Sequence, residues 1–312
     1  MKGIVKAICI SEKRGTIKRP VDKAYFKINH GIVGDAHAGN WHRQVSLLSY
    51  DKVLDFNAKG GNVVDGDFGE NLLIEGIDFK HCPVGTKFYI GDVILEMTQI
   101  GKECHSHCQI FHRVGDCIMP REGVFAKVLK EGEIMPGMEV KGELPSDSRP
   151  FQAAIITLSD KGFKGEREDL SGPVARDMLM EAGYEVVEML LIPDEPIMLK
   201  KELIRLTDQR QVDLILTSGG TGFSLRDQTP EATLEVMDRN APGISEYMRM
   251  KSCQITDRGM LSRGVSVIRK STLIINLPGS PKAVKENLGF ILNALDHGLK
   301  ILRGSAGECA RK

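Results

Sequence analysis

The sequence has no net charge, no long hydrophobic run and no charged leader, and each absence excludes a class of protein. Its 42 Lys and Arg residues balance its 42 Asp and Glu residues, and each half of the chain is balanced separately. Nucleic-acid-binding proteins carry a basic excess, so nucleic acid is not an expected partner. Because no run of about 18 apolar residues could span a bilayer and no charged-then-apolar segment opens the chain, we expect a cytoplasmic protein without a membrane partner.

Two common glycine-rich nucleotide motifs are missing as well. Residues 264–271 superficially resemble a P-loop, but Arg269 occupies the position of its second glycine, and no GxGxxG follows a predicted strand. The chain is therefore predicted to be neither a P-loop NTPase nor a dinucleotide-dependent dehydrogenase. Because the overall charge does not attract anions, local amides, helix ends or a metal must hold any anionic ligand.

The length and composition of the chain indicate two domains. At 312 residues it is about twice the usual domain length of roughly 150, and 41% hydrophobic residues suffice for two cores. The polar segment 142–150 contains two prolines and separates two different hydrophobic patterns. We therefore predict domains over residues 1–145 and 151–312.

The hydrophobic pattern predicts a different fold for each domain. Before the boundary, short apolar runs separated by turn residues indicate a β-rich, barrel-like domain. After the boundary, strands and helices alternate, which indicates a three-layer α/β domain with a mostly parallel sheet flanked by helices. The predicted elements of this second domain are strand 153–158, helix 173–182, strand 186–192, helix 197–210, strand 212–217 and strand 273–277.

Polar and glycine-rich segments follow the strands of the second domain, where the ligands of such sheets bind. The glycines of segment 218–222 lack a Cβ atom, so their backbone N–H groups can surround phosphate oxygens. Ser280 and Pro281 have the chemistry of an N-cap and a first helical residue, which leaves free amides as a second anion cradle. Ser171 is likewise predicted to cap the helix that follows it.

Two aspartates at strand ends predict a metal site. Asp194 and Asp227 are expected to face the same crevice beside segment 218–222. Joining two phosphate-bearing substrates requires neutralising charge, which Mg²⁺ usually supplies. A single loop aspartate more often caps a helix or a turn, but the pair in this position favours a magnesium site.

Four motifs in the second domain resemble the MogA/MoaB family and the related gephyrin G domain. They are Thr217–Gly222, Arg226–Ala232, Met260–Arg263 and Asn276–Lys282, and they occur in this order within residues 151–305. The resemblance implies that the terminal phosphate of molybdopterin attacks the α-phosphate of ATP, with pyrophosphate as the leaving group. It also implies a homotrimer.

The resemblance assigns roles to individual residues. Asp194 and Asp227 match the acidic catalytic positions of the family and would bind Mg²⁺, whereas Ser262 and the two glycine-containing loops would bind substrate. Ser262 has an alternative interpretation as an ordinary polar loop residue. The expected substrate-binding residues are Ser159, Asp160, Ser171, Gly172, Ser218, Gly219, Gly220, Thr221, Gly222, Ser262, Asn276, Pro278, Gly279, Ser280 and Lys282.

The first domain contains the densest group of soft metal ligands, since five of the seven cysteines and seven of the eight histidines precede residue 150. The group consists of Cys104, His105, His107, Cys108, His112 and Cys117. Disulfides are not expected in the cytosol. Three interpretations remain open: a thiolate of lowered pKa that carries sulfur, a Zn²⁺ site, or cysteines that act as small apolar residues.

Other motifs of the first domain resemble the MOSC domain of molybdenum-cofactor sulfurases. They are Gly34–Gly39, Arg43–Ser49, Gly66–Asn71 and Gly123–Ala126, within residues 1–142. The resemblance implies a β-rich domain that binds the mature cofactor or moves sulfur onto it through a cysteine, without pyridoxal phosphate. Cys104 fits that position best, with Cys108 and Cys117 as alternatives. The flanking histidines depart from the simplest family pattern and leave a metal role open.

Further side chains of the first domain are candidates for gripping a phosphorylated pterin. Arg43 offers a two-pronged donor to phosphate, and Asp35 and Asn71 accompany it. Structural salt bridges are the competing explanation for these residues. His37 and His42 are interpreted as hydrogen-bonded loop residues rather than metal ligands.

Both resemblances point to molybdenum-cofactor biosynthesis. We therefore predict a bifunctional protein whose second domain adenylylates molybdopterin with Mg²⁺ and ATP, and whose first domain binds or sulfurates a later form of the cofactor. Proteins that insert molybdenum and recipient molybdoenzymes are the expected partners. The alternatives are a non-catalytic carrier or scaffold for molybdopterin, and a first domain that serves as a zinc-binding interaction module.

Overall fold

The structure, a computed structural model, describes residues 1–102 and 117–304. It forms two compact units, one spanning Met1–Ser146 and the other beginning at Asp147. Each unit has apolar cores of its own. None of the helices in the two described ranges is long and apolar enough to cross a lipid bilayer.

The first unit consists mainly of strands. They are β1 (Lys2–Ile10), β2 (Arg19–Val21), β3 (Ala24–Lys27), β4 (Gly31–Ile32), β5 (Val45–Ser49), β6 (Leu72–Glu75), β7 (Lys87–Ile90), β8 (Val93–Ile100), β9 (Val124–Lys130), β10 (Gly132–Ile134) and β11 (Glu139–Glu143). Its described helical segments are α1 (Tyr50–Ala58), the single 3-10 turn Phe79–His81 and α2 (Met119–Glu122).

Seven of these strands close into a barrel in the order β11-β7-β8-β9-β5-β6-β1, because β1 also pairs with β11. Neighbouring strands of the barrel are antiparallel except for β5 and β6. Strand β2 extends the sheet beside β1, and β10, β3 and β4 form a small separate sheet. Closure pairs backbone groups that an open sheet would expose at its edges. The predicted β-rich, barrel-like domain is confirmed.

Alternating burial along the strands explains the closed barrel. In β11, exposed and buried residues alternate strictly, and in β7 the side chains of Phe88 and Ile90 are buried. The ring of Phe88 packs edge-to-face against Phe79, with 5.3 Å between ring centroids. In these two strands every second residue therefore enters the interior, as expected for strands with one face in a core.

The second unit alternates strands and helices. Its strands are β12 (Gln152–Leu158), β13 (Glu185–Ile192), β14 (Leu214–Ser218), β15 (Arg239–Asn240), β16 (Ser266–Arg269) and β17 (Thr272–Leu277). Its helices are α3 (Asp160–Phe163), α4 (Ser171–Glu181), α5 (Pro196–Ile204), α6 (Thr229–Glu235), α7 (Pro242–Cys253) and α8 (Pro281–Leu302), with a 3-10 segment at Asp257–Leu261. The helix predicted over 197–210 is observed as α5 followed by a π-helical turn, Arg205–Gln209.

These strands form one mixed sheet in the order β13-β12-β14-β17-β16-β15. The first four run parallel, as predicted, whereas β16 and β15 are antiparallel to their neighbours. Successive residues of β14 enter different cores: Leu214 and Leu216 join residues of α4 and α8, and Ile215 joins residues of α5 and α6. Burial on both faces accounts for the continuous apolar runs of the parallel strands.

Candidate active site

Loops of the second unit meet in one groove of about 790 Å³. They follow β12, β13, β14 and β17, which run parallel, so the carboxyl ends of these strands share one edge of the sheet. Nine residues that the sequence predicts to bind substrate or metal line this groove: Ser159, Asp160, Ser171, Asp194, Gly219, Gly220, Asp227, Gly279 and Ser280. Asp194 and Asp227 therefore line the same groove.

A second cavity, of about 430 Å³, is lined by five other predicted residues: Thr221, Gly222, Ser262, Asn276 and Pro278. The side chains of Phe223, Met248 and Leu261 add apolar surface to it. Segment 218–222 contributes to both spaces, because its middle glycines line the groove and its last two residues line the second cavity. The predicted residues are thus divided between two adjoining spaces.

Glycine is required at two positions of segment 218–222. Gly219 has φ +107°, and a Cβ atom there would lie 2.4 Å from the carbonyl oxygen of Leu158. Gly220 has φ +62°, and its Cβ would lie 2.3 Å from Oγ1 of Thr229. Both backbone angles disfavour other residues, and both contacts are too short for any side chain. The close approach of backbone at this point explains the paired glycines.

Asp194 and Asp160 form two reciprocal hydrogen bonds, each from the backbone amide of one residue to the carboxylate of the other. The amide of Asp160 donates to Oδ2 of Asp194 at 2.9 Å, and the amide of Asp194 donates to Oδ1 of Asp160 at 3.1 Å. Arg226 donates to both oxygens of Asp160 at 2.9 Å and to Glu195 at 2.9 Å. The loops after β12, β13 and β14 are therefore joined beside Asp194 by one charged network.

Burial raises the pKa of Asp194 above its ordinary value. Repulsion from the carboxylates of Asp160 and Asp227 raises the pKa further, while the amide of Asp160 and the charge of Arg226 oppose the shift. The pKa of Asp160 itself is lowered by its bond from the amide of Asp194 and by Arg226. A cation between Asp194 and Asp227 would relieve the repulsion, so this carboxylate pair fits a divalent ion.

Arg263 fixes the loop that carries Asp227. Its Nε donates to the carbonyl oxygen of Gly222 at 2.7 Å, and its other nitrogens bond the carbonyl oxygen of Asp227 and the carboxylate of Glu231. Oδ2 of Asp227 accepts a bond from the amide of Ser224 at 3.0 Å. Sequence reasoning included Arg263 in a motif but assigned no role to it, since its partners lie more than thirty residues away.

The loop after β17 forms the opposite rim of the groove. Ser280 is the N-cap of α8, with its Oγ accepting from the amide of Ala283 at 3.2 Å, and Pro281 is the first helical residue. The predicted N-cap and first helical residue are confirmed, and the anion cradle at this helix start stays a prediction. The hydroxyl of Ser218 donates to the carbonyl oxygen of Pro278 at 3.0 Å, which ties this loop to the glycine-rich segment.

Comparison with known proteins places both units in known families. A family model described as "Probable molybdopterin binding domain" matches residues 154–297, and the MOSC domain model matches residues 34–141. A molybdopterin adenylyltransferase of Helicobacter pylori is 39% identical over 153 residues, which cover 48% of this chain and 87% of the relative. The chain belongs to the molybdopterin adenylyltransferase family.

Other members of this enzyme family are also similar to the second domain of this chain. The Escherichia coli K12 molybdopterin adenylyltransferase is 42% identical over 147 residues, which cover 46% of this chain and 75% of the relative. A crystal structure of the molybdopterin biosynthesis enzyme MoaB of Thermus thermophilus aligns with a TM-score of 0.48 and 48% identity, covering 49% of this chain and 97% of that chain. In the chain described here, a MOSC domain precedes the adenylyltransferase-family domain.

Within the adenylyltransferase-family domain, the prediction that Ser171 caps helix α4 is wrong. Asp169 takes this role, because its Oδ1 accepts from the amides of Ser171 and Gly172 at 2.9 and 3.0 Å. Aspartate two residues earlier outcompetes the serine, whose hydroxyl instead donates to the carbonyl oxygen of Gly279 at 2.8 Å. A Cβ atom on Gly172 would lie 2.6 Å from Oδ2 of Asp169, so a larger residue there would displace the carboxylate that caps the helix.

Two other predicted residues of this domain make contacts that direct them away from the groove. The buried amide of Asn276 donates to the hydroxyls of Thr217 and Thr233 at 2.9 and 3.0 Å, and it accepts from the amide of Val265 at 3.2 Å. The side chain of Lys282 is 83% exposed and lies 3.9 Å from Glu286. Asn276 therefore joins neighbouring elements, and Lys282 lies among solvent-facing residues of α8.

In the MOSC domain, most of the predicted cysteine and histidine group lies outside the described residues. This applies to Cys104, His105, His107, Cys108 and His112. The remaining cysteine, Cys117, is buried in an apolar cluster with Leu48 and Phe125. The guanidinium carbon of Arg43 lies 4.7 Å from the ring centre of Trp41 and 5.6 Å from that of Phe125. Arg43 is thus held between two aromatic rings.

Asp35 of the MOSC domain forms a salt bridge, as in the competing explanation, whereas Asn71 forms hydrogen bonds to the backbone. Asp35 accepts from the amide of Ser11 at 3.0 Å and from the buried ammonium of Lys18 at 3.1 Å. Burial alone would raise the pKa of Asp35, but the nearby ring of His37, whose Nδ1 lies 3.8 Å from Oδ2, and the charge of Lys18 hold it well below its ordinary range. The side chain of Asn71 bonds the backbone of β1 and β5.

Proposed function

We propose that the adenylyltransferase-family domain transfers the AMP group of ATP to molybdopterin, with Mg²⁺ bound by Asp194 and Asp227. The observation that carries the proposal is the groove, in which both carboxylates lie beside the glycine-rich segment 218–222. The relatives support the choice of substrate, because they are named molybdopterin adenylyltransferases. An enzyme of this kind needs a site for two phosphate-bearing substrates.

In the proposed reaction, an oxygen of the terminal phosphate of molybdopterin forms a bond to the α-phosphorus of ATP. The bond from that phosphorus to the bridging oxygen of the β-phosphate breaks, and its electron pair leaves with pyrophosphate. Such reactions depend mainly on orientation and charge neutralisation. Backbone amides of segment 218–222 and the loop at Ser280 orient the phosphates, and Arg263 keeps the Asp227 loop in place.

Asp194 and Asp227 would hold the magnesium ion. Mg²⁺ usually takes one or two carboxylates and completes its coordination with substrate phosphates and water. Two carboxylates from the protein would therefore suffice. When bound, Mg²⁺ supplies positive charge to the phosphate oxygens.

We assign ATP to the groove and the pterin part of molybdopterin to the second cavity. The apolar surface that Phe223, Met248 and Leu261 contribute suits a flat heterocycle. Ser262 lines the same cavity and offers a hydroxyl to the polar edge of the pterin. Because segment 218–222 borders both spaces, the phosphate of one substrate can meet the α-phosphate of the other there.

For the MOSC domain, we propose binding of the mature cofactor, with Cys104 as the residue that carries sulfur. Support comes from the match of residues 34–141 to the MOSC model and from Arg43, whose placement between Trp41 and Phe125 positions a phosphate-binding cation. Measurement of bound cofactor and of zinc in the parent protein and in Cys104→Ser separates cofactor binding from a zinc site.

The homotrimer that the resemblance to the MogA/MoaB family implies is tested separately. Light scattering coupled to size-exclusion chromatography gives the mass of the assembly in solution.

The decisive experiment is pyrophosphate release from ATP and Mg²⁺ with and without molybdopterin. Asp227→Asn keeps the size of the side chain but removes the charge that would bind the metal, so we expect a loss of at least about a hundredfold in kcat. Asp177→Asn is the matched control, because Asp177 is exposed on α4 and pairs with the neighbouring Arg176. Full activity in Asp227→Asn would contradict the assigned mechanism.

A further inference from the structure

We propose that Lys161 and Arg167 form the pyrophosphate-binding end of the groove and neutralise the leaving group. Both belong to the loop after β12 and both line the groove. The inference rests on the proposed function, since it names the residues that would receive the β- and γ-phosphates of ATP. Neither residue was singled out by sequence reasoning, which looked to amides, helix ends and a metal for anion binding.

The charge of the groove makes such residues necessary. Its lining contains five carboxylates, which belong to Asp160, Glu168, Asp169, Asp194 and Asp227. Lys161 and Arg167 are its only basic side chains among the described residues. A polyphosphate entering this groove would be repelled along most of its length. The bound metal would offset part of that repulsion at Asp194 and Asp227, and the phosphates beyond the metal need other cations.

Two other charged groups near the groove, Arg226 and Asp169, already have partners. Arg226 is occupied by Asp160 and Glu195, and Asp169 caps α4. By contrast, within residues 1–102 and 117–304, neither Lys161 nor Arg167 forms an ion pair with a carboxylate. Arg167 donates to Oγ of Ser159 at 2.9 Å through one nitrogen. Its remaining donors, and the ammonium of Lys161, are available to an anion.

The position of the two cations also fits the direction of the reaction. Attacking and leaving oxygens lie on opposite sides of the α-phosphorus in an in-line displacement. The second cavity, proposed to hold molybdopterin, shares segment 218–222 with the groove, whereas Lys161 and Arg167 line only the groove. Lys161 directly follows Asp160, whose amide bonds Asp194. Pyrophosphate would thus leave toward these two side chains.

The test compares ligands with and without the β- and γ-phosphates, using the full chain. Titration with Mg²⁺ and inorganic pyrophosphate, with ATP and with AMP is expected to show about tenfold weaker pyrophosphate and ATP binding for each of Lys161→Ala and Arg167→Gln. AMP binding is expected to stay unchanged, because AMP lacks the phosphates in question. Both residues are exposed, so thermal melting of the variants should match that of the parent protein.

Lys164→Ala is the matched control, because Lys164 lies three residues after Lys161 but does not line the groove. The inference is overturned if the Lys161→Ala, Arg167→Gln double variant binds pyrophosphate as tightly as Lys164→Ala does. It is also overturned if AMP binding falls as much as pyrophosphate binding. Parent protein that releases no pyrophosphate with molybdopterin would contradict the proposed function, while the pyrophosphate titration would still decide the role of the two cations.

Discussion

At the scale of single residues, the MOSC domain buries a carboxyl group that is only half satisfied. Glu70 is 1% exposed, and its Oε1 accepts from the amide of Gly66 at 2.6 Å. Its other oxygen, Oε2, has no hydrogen-bond partner in the described part of the chain. Burial raises the pKa of Glu70 to about 7, with a further rise from Asp65 and an opposing effect of Lys18. The folded protein therefore favours the neutral acid.

This pKa shift predicts a pH-dependent stability of the MOSC domain. From pH about 4.5 to about 7, Glu70 keeps its proton in the folded protein and loses it on unfolding. The free energy of unfolding should therefore fall as pH rises through this window, by on the order of 3 kcal/mol in total, and level off above it. Urea unfolding of the domain at a series of pH values measures the effect.

The substitution Glu70→Gln should remove this part of the pH dependence, because glutamine cannot ionise. It keeps an oxygen for the amide of Gly66, so the domain should still fold. Glu12→Gln is the matched control, since Glu12 is exposed in the same domain. An unchanged slope of stability against pH in Glu70→Gln would show that Glu70 ionises normally in the folded protein.

At the scale of elements, the turn after β14 depends on Gly219 and Gly220, whose positive φ angles do not occur in α-helices. Gly219→Ala should destabilise the adenylyltransferase-family domain by about 1–3 kcal/mol, because φ +107° is strained for alanine and the new Cβ would meet the carbonyl of Leu158. Gly243→Ala is the control: Gly243 lies in the first turn of α7 with open space around it. That change should stabilise by about 0.5 kcal/mol.

Thermal unfolding followed by circular dichroism measures both variants. Equal stability of Gly219→Ala and the parent protein would mean that the turn accommodates a side chain, and that the glycine has no structural requirement. A loss of activity in Gly219→Ala that exceeds its loss of folded protein would assign the glycine to phosphate binding as well.

Element by element, the features that depend on neighbours in sequence could be predicted. Ser280 followed by Pro281 identifies the start of α8, and the apolar runs of β12 and β14 identify buried parallel strands. The cap of α4 was predicted at the wrong residue, because Asp169 and Ser171 are both good caps and only geometry chooses between them.

Features that depend on distant pairing could not be predicted. Closure of the barrel requires β1 to find β11, more than a hundred residues later, and no local pattern encodes that contact. For the same reason, the sequence did not predict that Arg263 bonds the loop of Asp227, or that Arg226 pairs with Asp160. The position of the groove beyond the carboxyl ends of the parallel strands could be predicted, but the partner of each side chain within it could not.

At the scale of the whole molecule, the balanced charge of the chain conceals an uneven distribution in the groove. A chain with 42 basic and 42 acidic residues gives no overall attraction for ATP. The proposed binding of ATP must then depend on the proposed magnesium ion and on a few basic side chains, rather than on the overall field. The balanced charge of the sequence therefore gives no indication of a nucleic-acid partner, and it says nothing about a nucleotide substrate.

The second unit contains its own anchor at the point where it begins. Arg303 donates to both oxygens of Asp213 at 2.8 and 2.7 Å, and to the carbonyl oxygen of Arg149 at 2.7 Å. The guanidinium carbon also lies 4.1 Å from the ring centre of Phe151. Residues 147–150 are thus bonded to the end of α8, although sequence reasoning began the domain at residue 151.

This anchor predicts the behaviour of isolated fragments. A fragment beginning at Asp147 keeps the bonds to Arg303, both apolar cores and every residue of the groove, so it should fold and retain the kcat/KM of the full chain for adenylylation. A fragment beginning at Phe151 loses the carbonyl partners of Arg303 and should melt at a lower temperature, by several degrees for about 1 kcal/mol lost. Thermal melts and pyrophosphate release measure both. A folded but inactive fragment from Asp147 would show that the MOSC domain contributes to catalysis, and equal melting of the two fragments would show that residues 147–150 add no stability.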